Sequence, residues 1–230
     1  MSIKLIEALA KNASLFHAVV TISPTTKIAK IDLSSGNDQL TEEIFNDIFL
    51  FEAFINSYLS EAKADLLIGG YLEYRKIYGR SEVFDGADQN SIRRLHIGLD
   101  IWGSAGTSVF APFQGIVHSI ADNNKKGDYG ATIILKHELD GVEFHSLYGH
   151  LSKRDLHHKK GDKINKGDLL AHFGNHEENG NWPPHLHFQL IEDMQGMEGD
   201  YPGVCSLNDK AFYQVNCPDP NILLKLMPNA

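Results

Sequence analysis

Apolar positions along this chain follow two different rhythms. Through residues 41–59, Ile44, Ile48, Phe51, Ile55 and the Tyr58-Leu59 pair recur at helical spacing. Thr41 suits an N-cap, and Glu42 and Glu43 suit the positive end of a helix dipole, so the pattern predicts a helix with one face on a core. Residues 1–8 read as the start of another amphipathic helix. Ser34-Ser35-Gly36-Asn37-Asp38 reads as a loop. Gly69-Gly70 and the tyrosine-rich run to Tyr78-Gly79 suggest an extended lead-in to a main domain.

From about Val109 the rhythm shortens. Residues 115–120, 131–136 and 142–148 are rich in β-branched and aromatic side chains, with turn signals between them. Asp140-Gly141 between two such runs is a strong hairpin signal. Two Lys-Gly-Asp turns, at 160–162 and 166–168, precede a final strand over 185–191. No αβ alternation accompanies these strands. The expectation is a mainly β fold, an antiparallel sheet or small barrel-like core, with an N-terminal helical region over 1–66 and the main domain over 67–230.

Composition adds limits. The 230 residues are 42% hydrophobic without low-complexity tracts, which fits a globular protein. A formal net charge of −9 argues against nucleic acid or anionic lipid as a main partner. The N-terminus lacks the unbroken apolar stretch of a secretory signal, and no segment reaches transmembrane length, so the expected compartment is the cytoplasm. In that setting Cys205 and Cys217 are expected as reduced thiols.

The chemistry concentrates in three strings: His96-Ile97-Gly98-Leu99-Asp100, Leu147-Tyr148-Gly149-His150-Leu151 and His185-Leu186-His187-Phe188. Four imidazoles and a carboxylate are enough to hold one Zn²⁺ through three protein ligands and to leave two histidines for its water. On a strand His185 and His187 point the same way about 7 Å apart, so one can ligate while the other reaches the water. Pro183-Pro184 would fix the entry of that strand. His96 and Asp100 would lie roughly 13 Å apart on a straight strand, too far for a shared ion. A bend or bulge at Gly98 is therefore expected. His150 follows a strand beside Gly149, where little bulk blocks its approach. His17, His118, His137, His145, His157, His158, His172 and His176 are read as structural or surface residues.

In these strings, in their order, the chain resembles the lysostaphin-type zinc metallopeptidases, a family of glycyl-glycine and peptidoglycan cross-bridge endopeptidases. The likeness runs from about Arg94 to Ile191. It includes Ala111-Pro112, Gly115-Ile116-Val117, Gly161-Asp162 and Lys166-Gly167-Asp168. The resemblance implies zinc held by His96, Asp100 and His187, with His150 and His185 as the catalytic pair. It further implies a small antiparallel, barrel-sandwich core (a duplicated hybrid motif) whose ligands lie along a groove open to an extended peptide. The substrate would be a peptide, peptidoglycan-like or glycine-rich.

Two departures stand out. Gln189 replaces the usual Glu after the His-x-His strand, and the approach to that strand carries Trp182, as a groove wall or a core cover. From Gly69 to Leu224 the chain also resembles a peptidase-like domain found between a kinase-like domain and a class III aminotransferase. Shared text includes Asn181-Trp182-Pro183-Pro184, Tyr201-Pro202-Gly203 and Pro218-Asp219-Pro220-Asn221. That setting keeps open a zinc hydrolase of a small amide metabolite; a module that binds peptide or amine without cleaving it is a second alternative, which the five filled site positions disfavour. A lipoyl- or biotinyl-carrier-like domain would leave the histidines unexplained.

Overall fold

The computed structural model describes residues 3–85 and 91–226. The N-terminal part holds helix α1 (Ile3–Lys11), strand β1 (Ile28–Lys30) and helices α2 (Glu42–Asn46) and α3 (Ile48–Ala62). Strands β2 (Leu66–Gly69), β3 (Leu95–His96), β4 (Leu99–Trp102) and β5 (Ser108–Phe110) follow. Then come the long strands β6 (Gly115–Asn123), β7 (Gly130–Leu139) and β8 (Val142–Leu151). Shorter strands β9 (Lys163–Ile164) and β10 (Leu169–His172) lead to β11 (His185–Ile191) and β12 (Val204–Cys205), and helices α4 (Lys210–Asn216) and α5 (Asn221–Leu224) close the chain.

Eight strands form one sheet in the order β1-β2-β4-β11-β8-β7-β6-β9. The mainly β class is as the sequence pattern predicts, with a helical N-terminal region. The sheet stays open rather than closing into a barrel, and it is mixed: β1 runs parallel to β2, whereas its other pairings are antiparallel. Two further pairs, β10 with β5 and β12 with β3, lie outside it. The expected hairpin is present: β7 and β8 pair from Leu139 opposite Val142, and Asp140 and Gly141 both take the left-handed conformation such a turn needs.

Alternation along the central strands separates core from chemistry. On β4, Leu99 and Ile101 enter the largest apolar core, and on β11 so do Leu186, Phe188 and Leu190. Period-two geometry sends Asp100, Trp102, His185, His187 and Gln189 to the other face. That core also takes Leu5, Leu9, Val19 and Val20 from the N-terminal part. The line between residues 66 and 67 falls inside β2.

On the chemical face, α3 sets Phe51 against Trp102 and Trp182, with ring centroids 6.0 and 6.5 Å away. The helical stretch from Thr41 is two helices. Asp47 between them is extended, and its Oδ1 accepts from the Phe49 and Leu50 amides. This local side-chain bond ends one helix and caps the next.

Candidate active site

Strand register assembles the site. His187 sits opposite Asp100 across the β11–β4 pair and opposite Gly149 across the β11–β8 pair. His96 arrives from β3, which pairs with β12 instead of joining the main sheet. Between His96 and Asp100 the chain changes sheets at Ile97-Gly98, the bend that their separation requires. Gly98 is needed there for a second reason, because a Cβ would run into the His187 ring. His150 lies near the end of β8, which extends past the expected limit at Tyr148. It adopts φ +62°, where the β7–β8 register shifts. A non-glycine residue held left-handed costs about 1–3 kcal/mol and persists only where its surroundings over-determine it.

Hydrogen bonds to acceptors set each imidazole's tautomer. A carbonyl oxygen can only accept, so His96 Nδ1–H donates to Gly70 O, His150 Nδ1–H to Asn179 O and His185 Nδ1–H to Pro183 O, each at 2.8 Å. His187 Nε2–H donates to Gln189 Oε1 at 2.9 Å, while the Gln189 amide donates to Pro202 O and Cys217 Sγ. A carboxylate in place of Gln189 could not make those last two bonds. In neutral rings this leaves lone pairs on His96 Nε2, His150 Nε2, His185 Nε2 and His187 Nδ1.

Two of those lone pairs meet a carboxylate. His96 Nε2 lies 2.9 Å from His187 Nδ1, and Asp100 Oδ1 lies 3.3 and 3.2 Å from these two nitrogens. Three electron-pair donors thus converge with no hydrogen between them, an arrangement a cation satisfies. Metal–ligand bonds of about 2.0–2.1 Å in a tetrahedron put ligand atoms roughly 3.3 Å apart. His96, Asp100 and His187 therefore form a possible metal site whose donor set and spacing fit zinc, and all three are buried.

Charge is managed around it. Burial lowers His96 and His185 to about 4 and His150 well below the ordinary histidine range, so all three are neutral near pH 7. Burial opposes the charged form of Asp100, yet the Arg75 guanidinium paired with it holds it well below the usual carboxylate range. Arg75 is itself buried. Its Nη1 donates to Asp100 Oδ2 at 2.6 Å and to Tyr78 Oη at 3.1 Å, and its Nε to Glu73 Oε2 at 2.6 Å. Gly70, at φ +107°, leaves room for this guanidinium.

His150 and His185 lie side by side, ring centroids 4.1 Å apart. Trp102 stacks on His185 at 3.9 Å. Trp182 lines the pocket near His150 and packs on α3, serving both roles open to it in the sequence. All five residues named from the sequence meet in one pocket. Arg75, Glu73 and the carbonyls of Gly70 and Asn179 complete the site without a motif in the sequence; the first two show there only as a charged pair within an aromatic-rich lead-in. Cys205 and Cys217 are buried and unpaired.

Residues 94–198 match the model of peptidase family M23. This stretch is an M23 peptidase domain. The M23 domain is 36% identical over 97 residues to an uncharacterized metalloprotease of Haemophilus influenzae, covering 42% of this chain and 18% of that protein. It is 29% identical over 96 residues to endolysin 2638A of a Staphylococcus phage, covering 41% of this chain and 18% of the endolysin. The matches thus span about a fifth of these curated relatives. Among solved structures, the catalytic domain of lysostaphin from Staphylococcus simulans aligns with a TM-score of 0.41 at 23% identity, covering 71% of this chain and 97% of that domain.

Proposed function

We propose that the chain is a zinc-dependent metallopeptidase that hydrolyses peptide bonds, with zinc held by His96, Asp100 and His187. The observation that carries this reading is the convergence of three buried donor atoms, with no hydrogen among them, inside an M23 domain. Bound zinc would supply Lewis acidity toward a carbonyl oxygen and lower the pKa of a water to about 7. His150 and His185 are neutral bases with Nε2 unprotonated, suited to take a proton from the attacking water and return one to the leaving amine. Their tautomers are held by Asn179 O and Pro183 O, so neither ring need turn over before accepting that proton. Glycine-rich or peptidoglycan-like peptides are the substrate types to assay first.

Asp100→Ala and His187→Ala should lose stoichiometric zinc while keeping the fold. His150→Gln and His185→Gln should keep zinc and lose about 10²–10⁴-fold in turnover, the usual contribution of a positioned acid or base. Full zinc occupancy in both ligand variants, measured by elemental analysis, would refute the ligand set. Unchanged turnover in either of the other two would refute its role.

A further inference from the structure

Among the described residues, the site is a recessed pocket. Its enclosed volume is about 90 Å³, well below the roughly 300–1,000 Å³ of pockets that take a drug-sized ligand. His96, Asp100, His150, His185 and His187 are each only 1–6% exposed. Of the described residues lining the pocket, all are buried except Arg93, Asp128, Asp200 and Pro202. Asp128 lies within reach of the charges of both Asp200 and Arg93, so the exposed lining gathers on one side of the pocket.

More than half of the described lining residues lie outside residues 94–198. Leu33 comes from the segment after β1, Tyr78 and Phe84 from the lead-in to β3, and Tyr201 and Val204 from the chain after β11. These walls are fixed rather than loosely laid over the histidines. Tyr201 is fully buried, and its carbonyl accepts from Tyr129 Oη at 3.1 Å. Val204 lies opposite His96 in the β12–β3 pair. Phe84 packs on Tyr78 with ring centroids 4.7 Å apart. Parts of this chain outside the M23 segment thus wall in the histidines, where the resemblance implies a groove open to an extended peptide.

A polymer cleaved internally must leave a site on both sides of the broken bond, at about 3.3 Å of chain per residue. A small recessed pocket whose exposed lining gathers on one side admits an end rather than the middle of a chain. We infer that the substrate is a short peptide, or the free terminus of a longer one, that enters end-on between Arg93, Asp128 and Asp200. Internal bonds of cross-linked polymers do not reach the histidines. This rests on the metallopeptidase reading for its chemistry but on the pocket walls for its selectivity.

The test uses the full chain with measured zinc content. Peptides carrying a central Gly-Gly bond are extended by zero, two or five residues on the amino side, the carboxyl side, or both, with blocked ends, and cleavage is followed by mass spectrometry. Binding is read in parallel from the fluorescence of Trp102 and Trp182. The short peptide should be cleaved, and five-residue extension on both sides should lower kcat/KM by about 100-fold or more, as misplacement at the reacting bond does. Cleavage of the doubly extended peptide within about threefold of the short one would overturn the inference. If no peptide is cleaved, the peptidase reading fails, and binding decides the inference separately: quenching by the short peptide alone upholds it, and equal quenching by short and doubly extended peptides, or none by either, overturns it.

Discussion

Asp100 divides its two oxygens between two tasks. Oδ1 faces the nitrogens of His96 and His187, while Oδ2 is taken by Arg75. Removing the guanidinium would leave a buried carboxylate half-unpaired and free to rotate. Arg75→Met is therefore expected to weaken zinc binding about 10–100-fold, the usual effect of losing a partner behind a metal ligand. Competition with a chromogenic chelator measures this, and wild-type affinity in the variant would show that Arg75 does not orient Asp100. The two kinds of residue differ in legibility. Histidines and an aspartate at fixed spacing announce their chemistry through residue type. An arginine 25 positions before its aspartate announces nothing, because its burial depends on Gly70 and Tyr78 folding around it.

At the scale of elements, period and turn chemistry revealed β6, β7, β8 and β11 because each is long enough to alternate. Strands of two or three residues such as β3, β9 and β12 carry no period, so they went unseen. The helix break at Asp47 was hidden because apolar spacing runs through it; Asp47→Ala should cost about 1 kcal/mol in urea unfolding, as lost N-caps do.

His137 on β7 offers a different measurement. Its Nδ1–H donates to Gln114 O, its Nε2 lies 2.7 Å from Ser146 Oγ, and burial lowers its pKa to about 4. The unfolded chain, with histidine near 6.5, binds the extra proton first as pH falls. This contribution is complete above about pH 6.5 and is lost progressively down to about 4. His137→Gln should make the fall in stability across that window shallower by up to one proton, about 1.4 kcal/mol per pH unit. An unchanged slope in denaturant titrations would mean that His137 does not titrate with unfolding.

For the whole molecule, the N-terminal part is structural as well as local to the site. It fills the main core with Leu5, Leu9, Val19 and Val20, adds β1 to the sheet edge and lines the pocket with Leu33. Burying such side chains contributes roughly 1.5–3 kcal/mol each, so a chain beginning at Leu66 would lose much of a typical 5–15 kcal/mol of net stability. It is expected to lose near-ultraviolet circular dichroism and to bind a hydrophobic dye. A truncated chain with native spectra and a native melting temperature would contradict this. Sequence pattern located these helices but could not say which core their faces join, since amphipathicity states that a face is buried and not against what.

The change of sheet at Ile97-Gly98 has a consequence for motion. β3 and β12 hold one another through only two residue pairs, and His96 and Ile97 donate their amides to Glu73 O and Gly203 O. With zinc bound as proposed, His96 is tied to Asp100 and His187 on the main sheet, so the ion clasps this small ribbon to the larger one. Deuterium uptake at the His96 and Ile97 amides should then quicken when zinc is chelated, while β7 and β8 keep their protection.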